Sequence, residues 1–252
     1  MLIKKADKES YNSVKSWRMI HLLPTISKVV DRIMLRRLEK EVALSGTQYG
    51  SRRSRGCHEC VKQKSDFVKF ARFRQTALMT MDVEEGFDNI DTALLADILT
   101  YKSCNRFFVS WIMRWTTGRK MCLKFNRRMS RVYDVDKGIP QGSLLSPYLF
   151  GIYVEEIFKP RFKHGPSVSC FVSSYVDDGG VMVCGETRQI VVSKMKELYE
   201  DCHRIARLRN MRFAARKMEW MGMGWGSGQN CGWMGRRKIC AKRFGSWDIG
   251  RI

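Results

Sequence analysis

Two adjacent aspartates, Asp177 and Asp178, stand between two β-rich runs of the sequence, Cys170 to Val176 and Val181 to Cys184. Two glycines follow the aspartates, and because Asp-Gly tolerates a positive φ, the pattern predicts a β-hairpin with its turn at residues 177–180. Two carboxylates at one tight turn repel each other unless a cation lies between them. Hard oxygen ligands with no Cys or His nearby suit Mg²⁺, which usually binds substrate phosphates as well. The pair therefore indicates metal-dependent phosphate chemistry, and the alternative is that Asp and Gly only form a good turn.

A third carboxylate, Asp82, lies near the end of another predicted strand, Gln75 to Val83, which contains a compact, apolar-rich run. A helix is predicted to follow, with Asp91 as its cap. Its apolar face would be formed by Leu94, Leu95, Ile98 and Leu99. This order places Asp82 at a strand end, before a turn.

Two longer helices are predicted from apolar periodicity, over Ile26 to Val42 and over Ile190 to Leu208. The apolar stripe of the first consists of Val29, Val30, Ile33, Leu35 and Leu38. Strands that alternate with helices indicate an α+β fold. Near the end, the glycine-rich run from Gly222 to Gly235 predicts a loop or a boundary.

The chain is strongly basic, with 46 Lys and Arg against 25 Asp and Glu in 252 residues, a net charge of +21. This excess favours a polyanionic partner, with nucleic acid as the leading candidate. Basic residues recur along the whole chain and no apolar run is long enough to cross a bilayer, so we expect no membrane association. Nine irregularly spaced cysteines fit reduced thiols, and no secretory signal is visible. We therefore expect an intracellular protein, nuclear or cytoplasmic and not secreted.

One spacing is compatible with a metal site of another kind, Cys57-His58-Glu59-Cys60. A structural zinc site needs four ligands, usually from two such pairs. The remaining candidates are poor substitutes for a second pair: Cys202, His203, Cys231 and Cys240. A zinc-stabilised basic module that uses Cys57, His58 and Cys60 is kept as an alternative.

Three motifs follow one another along the chain: MDVEEGFDN (Met81 to Asn89), GIPQGSLLSPYLF (Gly138 to Phe150) and YVDD (Tyr175 to Asp178). In these motifs the chain resembles the palm of reverse transcriptases, and its details are more similar to those of LINE-type (non-LTR) retrotransposons than to retroviral ones. Residues 17–34 and 48–56 resemble the two finger segments of that family, and residues 212–222 resemble its Lys-containing palm motif.

The resemblance implies a metal triad of Asp82, Asp177 and Asp178, assisted by the backbone carbonyl of Val83. The triad would hold two Mg²⁺ ions, for which Mn²⁺ can substitute, in a two-metal phosphoryl transfer. It also implies that Lys217 protonates the departing pyrophosphate as a general acid.

The resemblance further implies a set of substrate-binding residues: Arg52, Phe87, Gln141, Gly142 and Tyr175. Arg52 would grip the triphosphate, and Phe87 would select deoxynucleotides by colliding with a ribose 2′-hydroxyl. Gln141 and Gly142 would contact the nucleotide and the template. The alternatives are an exposed basic loop for Arg52, core packing for Phe87 and a plain turn for Pro-Gln-Gly.

The implied fold is an α+β right-hand polymerase with fingers over residues 1–75 and a palm over 76–220, of which 105–132 returns to the fingers. The thumb is expected to be absent or truncated, and residues 221–252 form a glycine-rich loop and an unassigned C-terminal segment. The implied function is RNA-directed DNA synthesis with an RNA template, a DNA primer and dNTPs, and no protein partner is identified. The alternatives are a catalytically inactive nucleic-acid-binding remnant and an intron maturase-like RNA-binding protein.

Overall fold

The computed structural model describes residues 1–6, 10–71, 73, 75–159, 165–223 and 237–238. The chain divides into two compact units, a first unit of residues 1–43 and 85–153 and a second unit of residues 44–84 and 154–252. Most of the predicted glycine-rich loop and C-terminal segment, with Cys231 and Cys240, lies outside the described residues.

The helices are α1 (Thr25–Glu41), α2 (Cys57–Phe70), α3 (Gly86–Asn89), α4 (Thr92–Tyr101), α5 (Arg106–Thr116), α6 (Ser146–Val154) and α7 (Arg188–Leu208). The strands are β1 (Leu2–Lys4), β2 (Trp17–Met19), β3 (Gln75–Asp82), β4 (Arg119–Phe125), β5 (Arg128–Val135), β6 (Val168–Tyr175), β7 (Asp178–Gly185), β8 (Glu219–Met223) and β9 (Arg237–Lys238). Short 3-10 turns cover Val14–Ser16, Glu155–Phe158 and Ala215–Lys217. No helix among the described residues is both long and apolar enough to span a membrane.

The second unit is built on an antiparallel sheet with the strand order β6-β7-β3-β8-β9. In β3, Ala77, Met79 and Met81 are buried at the period of two that a strand requires, which confirms the predicted strand. In β7, every residue from Gly179 to Gly185 is buried. The hydrophobic core therefore holds β3 and β7, the strands that carry Asp82 and Asp178, in fixed positions.

Helix α7 packs against β3 and β7. Five of its six buried residues follow one another at steps of four and three, so that they form a single stripe: Val191, Met195, Leu198, Cys202 and Ile205. The hydroxyl of Thr187 accepts a hydrogen bond from the Ile190 amide at 3.3 Å and caps the helix. The predicted helix is confirmed, and it packs across both of the strands that carry Asp82 and Asp178.

The first unit is mainly helical. As predicted, Asp91 caps α4 by accepting hydrogen bonds from the amides of Ala93 and Leu94, and α4 packs against α5. Helix α6 is apolar and buried, because it carries the core residues Leu149, Phe150, Ile152 and Tyr153. The Tyr148 hydroxyl donates to the Val42 carbonyl at 2.6 Å and ties α6 to the end of α1.

Helix α1 forms where it was predicted, but only part of its predicted apolar stripe is buried. Leu38 is buried as predicted, whereas Val29, Val30 and Ile33 are 39 to 50% exposed. Asp31 and Met34, which were not in the stripe, are buried instead. The reason is a polar contact, since the buried Asp31 carboxylate accepts a hydrogen bond from the Ser143 hydroxyl. A buried carboxylate must be hydrogen-bonded, and this requirement outweighs the apolar stripe in setting the helix face.

Candidate active site

Asp82 and Asp178 lie directly opposite each other in the sheet of the second unit. Asp82 ends β3, Asp178 begins β7, and the two residues are partners in the antiparallel register. Side chains of directly opposite residues lie about 4.5 to 5.5 Å apart at their Cβ atoms, and like charges there destabilise a sheet. The pairing therefore costs stability unless a cation compensates the two carboxylates.

Asp177 lies beside this pair, in the turn between β6 and β7. Tyr175 pairs with Asp178, so that only Val176 and Asp177 form the turn. The turn predicted at residues 177–180 is thus misplaced by two residues, and the positive φ of 58° belongs to Val176 rather than to a glycine. Gly179 is a strand residue, and its lack of a side chain makes room for the Phe158 ring, against which a Cβ would clash.

The carboxylates of the turn perturb one another. Burial raises the pKa of Asp177, and the charges of Asp178 and Asp82 raise it further. Partial desolvation likewise raises the pKa of Asp178, with Asp82 adding to the effect. In both cases Lys217 opposes the shift. A site that raises carboxyl pKa values by burial and like charge is one that a bound cation would relieve.

Lys217 provides one positive charge at this site. Its ammonium group lies 2.7 Å from Oδ2 of Asp82, and its side chain remains 66% exposed. The segment is held in register because the Ala214 amide donates to the Asp82 carbonyl at 2.8 Å and the Lys217 amide donates to the Ala214 carbonyl at 2.8 Å. The lysine singled out in the sequence is thus brought to the triad, next to Asp82.

Val83 follows Asp82 and is fixed by the turn. Its amide donates to the Asp177 carbonyl at 3.2 Å, and the next amide, of Glu84, donates to the Arg212 carbonyl at 2.8 Å. Tyr175 is 41% exposed at the end of β6. The second unit thus places the predicted metal-binding residues at the adjoining ends of β3 and β7 and in the turn before β7: Asp82, Val83, Asp177 and Asp178.

Gln48 holds the turn in place, a role that no sequence pattern predicted. Its side-chain oxygen accepts hydrogen bonds from the amides of Val176 and Gly50, both at 2.9 Å, and its side-chain nitrogen donates to the Val176 carbonyl at 3.4 Å. Gln48 is 1% exposed. A buried amide that satisfies both backbone groups of one turn residue fixes the position of that turn. The sequence feature that could have indicated this role is the position of Gln48 at the start of residues 48–56, the second finger-like segment.

Arg52 is engaged with its own loop. Its guanidinium donates to the carbonyls of Ser45 at 2.6 Å and Gln48 at 3.3 Å. These contacts tie the arginine to the segment that carries Gln48. Its predicted grip on a triphosphate stays a prediction.

Phe87, Gln141 and Gly142 belong to the first unit. Phe87 stacks on Phe150 with ring centroids 4.8 Å apart, so that it has a packing role whatever else it does. The backbone of Gln141 pairs with His21 twice, since its amide donates to Nδ1 at 2.9 Å and its carbonyl accepts from the His21 amide at 2.8 Å. Gly142 has a φ of +145°, and a Cβ there would press on the His21 carbonyl. Only glycine fits this position without strain.

Asp31 supports the loop that carries Gln141 and Gly142. Its carboxylate accepts hydrogen bonds from the hydroxyl of Ser143 and the backbone amide of Leu144, and burial raises its pKa. The Ser143 hydroxyl in turn accepts from the Leu145 amide at 3.0 Å. The loop is therefore held from α1 by a buried polar contact.

Replacing Asp31 with Ala is expected to lower the free energy of unfolding by about 1 to 3 kcal/mol, because it leaves buried donors without their acceptor. Asp31→Asn keeps one acceptor oxygen and should lose less. Chemical denaturation of the three proteins measures the difference. An Asp31→Ala protein as stable as the wild type would show that the contact does not support the loop.

The donor set of the triad fits a hard divalent cation, since it consists of carboxylate oxygens beside a backbone carbonyl. No three His, Cys, Asp or Glu side chains within the described residues are gathered closely enough to hold a metal by themselves. The three aspartates therefore do not form a complete metal site by themselves. The zinc alternative has no support either, since Cys57 is exposed and the buried Cys60 thiol donates to the Ser173 hydroxyl at 3.7 Å.

Comparison with known proteins assigns the chain to a family. The family model described as "Reverse transcriptase (RNA-dependent DNA polymerase)" matches residues 3–236. The chain therefore belongs to the reverse transcriptase family. Members of this family generally use divalent metal ions.

Relatives of the chain come from transposable elements. It is 26% identical over 199 residues to the putative 115 kDa protein in type-1 retrotransposable element R1DM of Drosophila melanogaster, covering 78% of this chain and 18% of the relative. It is 26% identical over 190 residues to the RNA-directed DNA polymerase from mobile element jockey of Drosophila funebris, and this match covers 72% of this chain and 20% of the relative. The predicted resemblance to LINE-type elements is confirmed, and the chain spans about a fifth of the length of these relatives.

Solved structures show the same fold. Apo telomerase from Candida tropicalis, truncated from its C-terminal domain, superposes with a TM-score of 0.55 at 12% identity, over 85% of this chain and 44% of that one. Telomerase from Candida albicans in complex with a fragment of telomeric RNA superposes with a TM-score of 0.51 at 12% identity, and the match covers 77% of this chain and 35% of that one. The predicted α+β polymerase fold is confirmed.

Proposed function

We propose that this chain carries out RNA-directed DNA synthesis for a LINE-type element, joining dNTPs to the 3′-hydroxyl of a DNA primer on an RNA template. The observation that carries the proposal is the opposition of Asp82 and Asp178 across two strands, with Asp177 in the adjoining turn. Membership of the reverse transcriptase family supports it.

Asp82, Asp177 and Asp178, with the Val83 carbonyl, would hold two Mg²⁺ ions, or Mn²⁺ in their place. When bound, such ions activate a hydroxyl nucleophile and neutralise the charge of the leaving pyrophosphate. The chain itself positions the three carboxylates, through the β3–β7 register and through the hydrogen bonds that Gln48 makes to the turn.

Lys217 is proposed to donate a proton to the leaving pyrophosphate. The exposed lysine side chain is long and flexible, and its contact with Asp82 keeps the ammonium group at the site where the phosphates would arrive. Before substrate binds, Lys217 would partly compensate the negative charge of the three aspartates.

The remaining predicted residues are proposed to recognise the substrate. Arg52 would bind the triphosphate after leaving its carbonyl partners, and Tyr175 would lie along the substrate path. In the first unit, Phe87 would exclude a ribose 2′-hydroxyl while it stays stacked on Phe150. Gln141 and Gly142 would approach the nucleotide and the template through a loop that is held to His21.

We also propose the polymerase subdivision into fingers over residues 1–75 and a palm over residues 76–220, with 105–132 returning to the fingers. The partners would be an RNA template, a DNA primer and dNTPs. The site of action would be the nucleus or the cytoplasm, where such templates occur.

The test is extension of a labelled DNA primer on an RNA template, with Mg²⁺ and dNTPs, by the wild-type chain and by Asp177→Asn. Binding of the same primer–template is measured alongside. Extension by the wild type that the substitution abolishes supports the proposal. Good binding without extension by the wild type would overturn it in favour of an inactive nucleic-acid-binding remnant.

Mg²⁺ is expected to stabilise the chain against heat, because it relieves the repulsion among the three carboxylates. At a Mg²⁺ concentration ten times the Kd, the free energy of unfolding should rise by about 1.4 kcal/mol. For a protein of this size that corresponds to an increase of about 3 to 5 °C in Tm. Differential scanning fluorimetry at constant ionic strength measures it, and an equal increase in an Asp177→Asn, Asp178→Asn double variant would contradict a site at the triad.

A further inference from the structure

The β4–β5 hairpin of the first unit exposes an unusual combination of side chains. The two strands form a two-stranded sheet of their own within the described residues, and most of their side chains are exposed. Two-stranded ribbons are marginal in water unless they pack against something else. The anchoring contacts lie at its base and tip, where the Arg119 guanidinium donates to the Lys137 and Gly138 carbonyls at 2.7 Å and Phe125 packs edge-on against Trp17.

The exposed side chains of the hairpin are mainly basic. Residues 119–135 contain six Lys and Arg against one Asp. Apart from the anchoring Arg119, all of the basic side chains are exposed: Lys120, Lys124, Arg127, Arg128 and Arg131. Within the part of the chain that the structure describes, none of these five forms an ion pair with a carboxylate. The hairpin therefore presents a concentrated positive charge.

Helix α7 shows how this chain builds a solvated face. Its exposed charges alternate in sign and pair along the helix, as Lys194 with Glu197, Lys196 with Glu200 and Arg204 with Asp201. Such pairs are typical of a face that meets only water. The hairpin lacks this balance, so that its charge indicates a partner of opposite sign.

Apolar and aromatic groups are interleaved with these charges. Lys120, Cys122 and Lys124 are alternate residues of β4 and share one face. Their register partners in β5 lie on the same face: Asp134, Val132 and Met129. Val132 and Met129 are 63% and 60% exposed. The two lysines lie about 14 Å apart along the strand, the length of a few nucleotides.

The opposite face carries a cation–aromatic pair. The Arg131 guanidinium lies 5.1 Å from the centre of the Tyr133 ring, which is 43% exposed. Tyr133 is the register partner of Met121. One face of the hairpin thus combines positive charge with exposed apolar side chains, and the other adds an aromatic ring on which a base can stack.

We infer that the β4–β5 hairpin binds single-stranded nucleic acid. Positive charge alone would suit any polyanion, and a duplex offers mainly its phosphates to such a surface. Basic residues interleaved with exposed aromatic and apolar side chains match an unpaired strand, whose bases are free to stack. The inference deepens the proposed function, on which it rests only for the identity of the strand as part of the template or primer.

Binding of a labelled, unstructured RNA oligonucleotide to the full chain, followed by fluorescence anisotropy at several salt concentrations, tests the inference. The variant K120Q/K124Q/R128Q/R131Q should bind at least tenfold more weakly, and its slope of log affinity against log salt should fall by roughly 2 to 3. The matched control K194Q/K196Q/R204Q/R207Q on α7 removes the same number of positive charges and should change affinity less than twofold. An unchanged affinity of the hairpin variant, or an equal loss in the control, would overturn the inference.

Cys122 supplies a second readout that needs no variant. It is exposed on the lysine face, and Cys57 of the second unit is an exposed cysteine outside the hairpin. Single-stranded RNA should slow maleimide labelling of Cys122 relative to Cys57, as read by peptide mass spectrometry, and a blunt duplex should not. Equal protection by the duplex, or none by the single strand, contradicts the inference. Protection in a chain that never extends a primer would leave the hairpin site standing and overturn the polymerase proposal alone.

Discussion

Replacing Asp82 with Asn is expected to lower the rate of nucleotide addition by about 1000-fold or more, while nucleic-acid binding changes little. Asp82 faces Asp178 across the β3–β7 pair and also receives the ammonium group of Lys217. The substitution removes a negative charge at the proposed metal site and weakens the contact with Lys217, while the side-chain shape is kept. The effect should therefore fall on the rate of the chemical step rather than on affinity for the primer–template.

Single-turnover kinetics with a preformed complex measure this effect. Asp97→Asn is the matched control, because Asp97 is exposed on α4 of the first unit and belongs to none of the predicted sites. The control should extend primers like the wild type. An Asp82→Asn protein with more than a tenth of the wild-type rate would show that Asp82 is not a metal ligand of the reaction.

Replacing Gln48 with Leu is expected to lower kcat by about 100-fold with little change in KM for the primer–template. Gln48 touches no predicted substrate, but its amide holds both the N–H and the carbonyl of Val176, next to Asp177. Without it the turn loses its fixed position, and a displacement of about 1 Å at a reacting centre can cost 100-fold in rate. Burial of an apolar side chain at this position would also leave the Val176 and Gly50 amides without their acceptor.

Gln48→Glu separates positioning from simple packing. Glutamate keeps the acceptor for the two amides and loses the donor to the Val176 carbonyl, so part of the rate should return. Gln189→Leu, at an exposed position at the start of α7, is the matched control. A Gln48→Leu protein whose kcat equals that of the control would exclude the positioning role, and thermal melts of all variants show whether folding is the cause.

Local sequence patterns predicted most of the elements around the site. The position of Asp82 near the end of β3, the Asp91 cap and α7 to within two residues of its start follow from apolar periodicity and capping chemistry within about 20 residues. The order of the three motifs then identified the family correctly. These features are local in the chain, and this is why they could be predicted.

What could not be predicted depends on contacts between distant residues. Gln48 and Val176 are 128 positions apart, and no periodicity links them. The buried face of α1 is set by the hydrogen bond between the Asp31 carboxylate and the Ser143 hydroxyl, which are 112 positions apart, and not by the apolar pattern of the helix alone. The turn was misplaced because Gly179 serves the packing of the Phe158 ring rather than a positive φ. In each case a polar or steric requirement from elsewhere in the fold outweighed the local pattern.

Templated addition of a single nucleotide tests the central claim most directly. Four RNA templates that differ only in the first unpaired base are each combined with a DNA primer, Mg²⁺ and one dNTP at a time, for the wild type and for Asp178→Asn. We expect that the wild type adds only the complementary dNTP, that chelation of Mg²⁺ stops addition, and that Asp178→Asn adds none. Addition that ignores the template base, or that persists in Asp178→Asn, would contradict the claim that these carboxylates perform RNA-directed DNA synthesis.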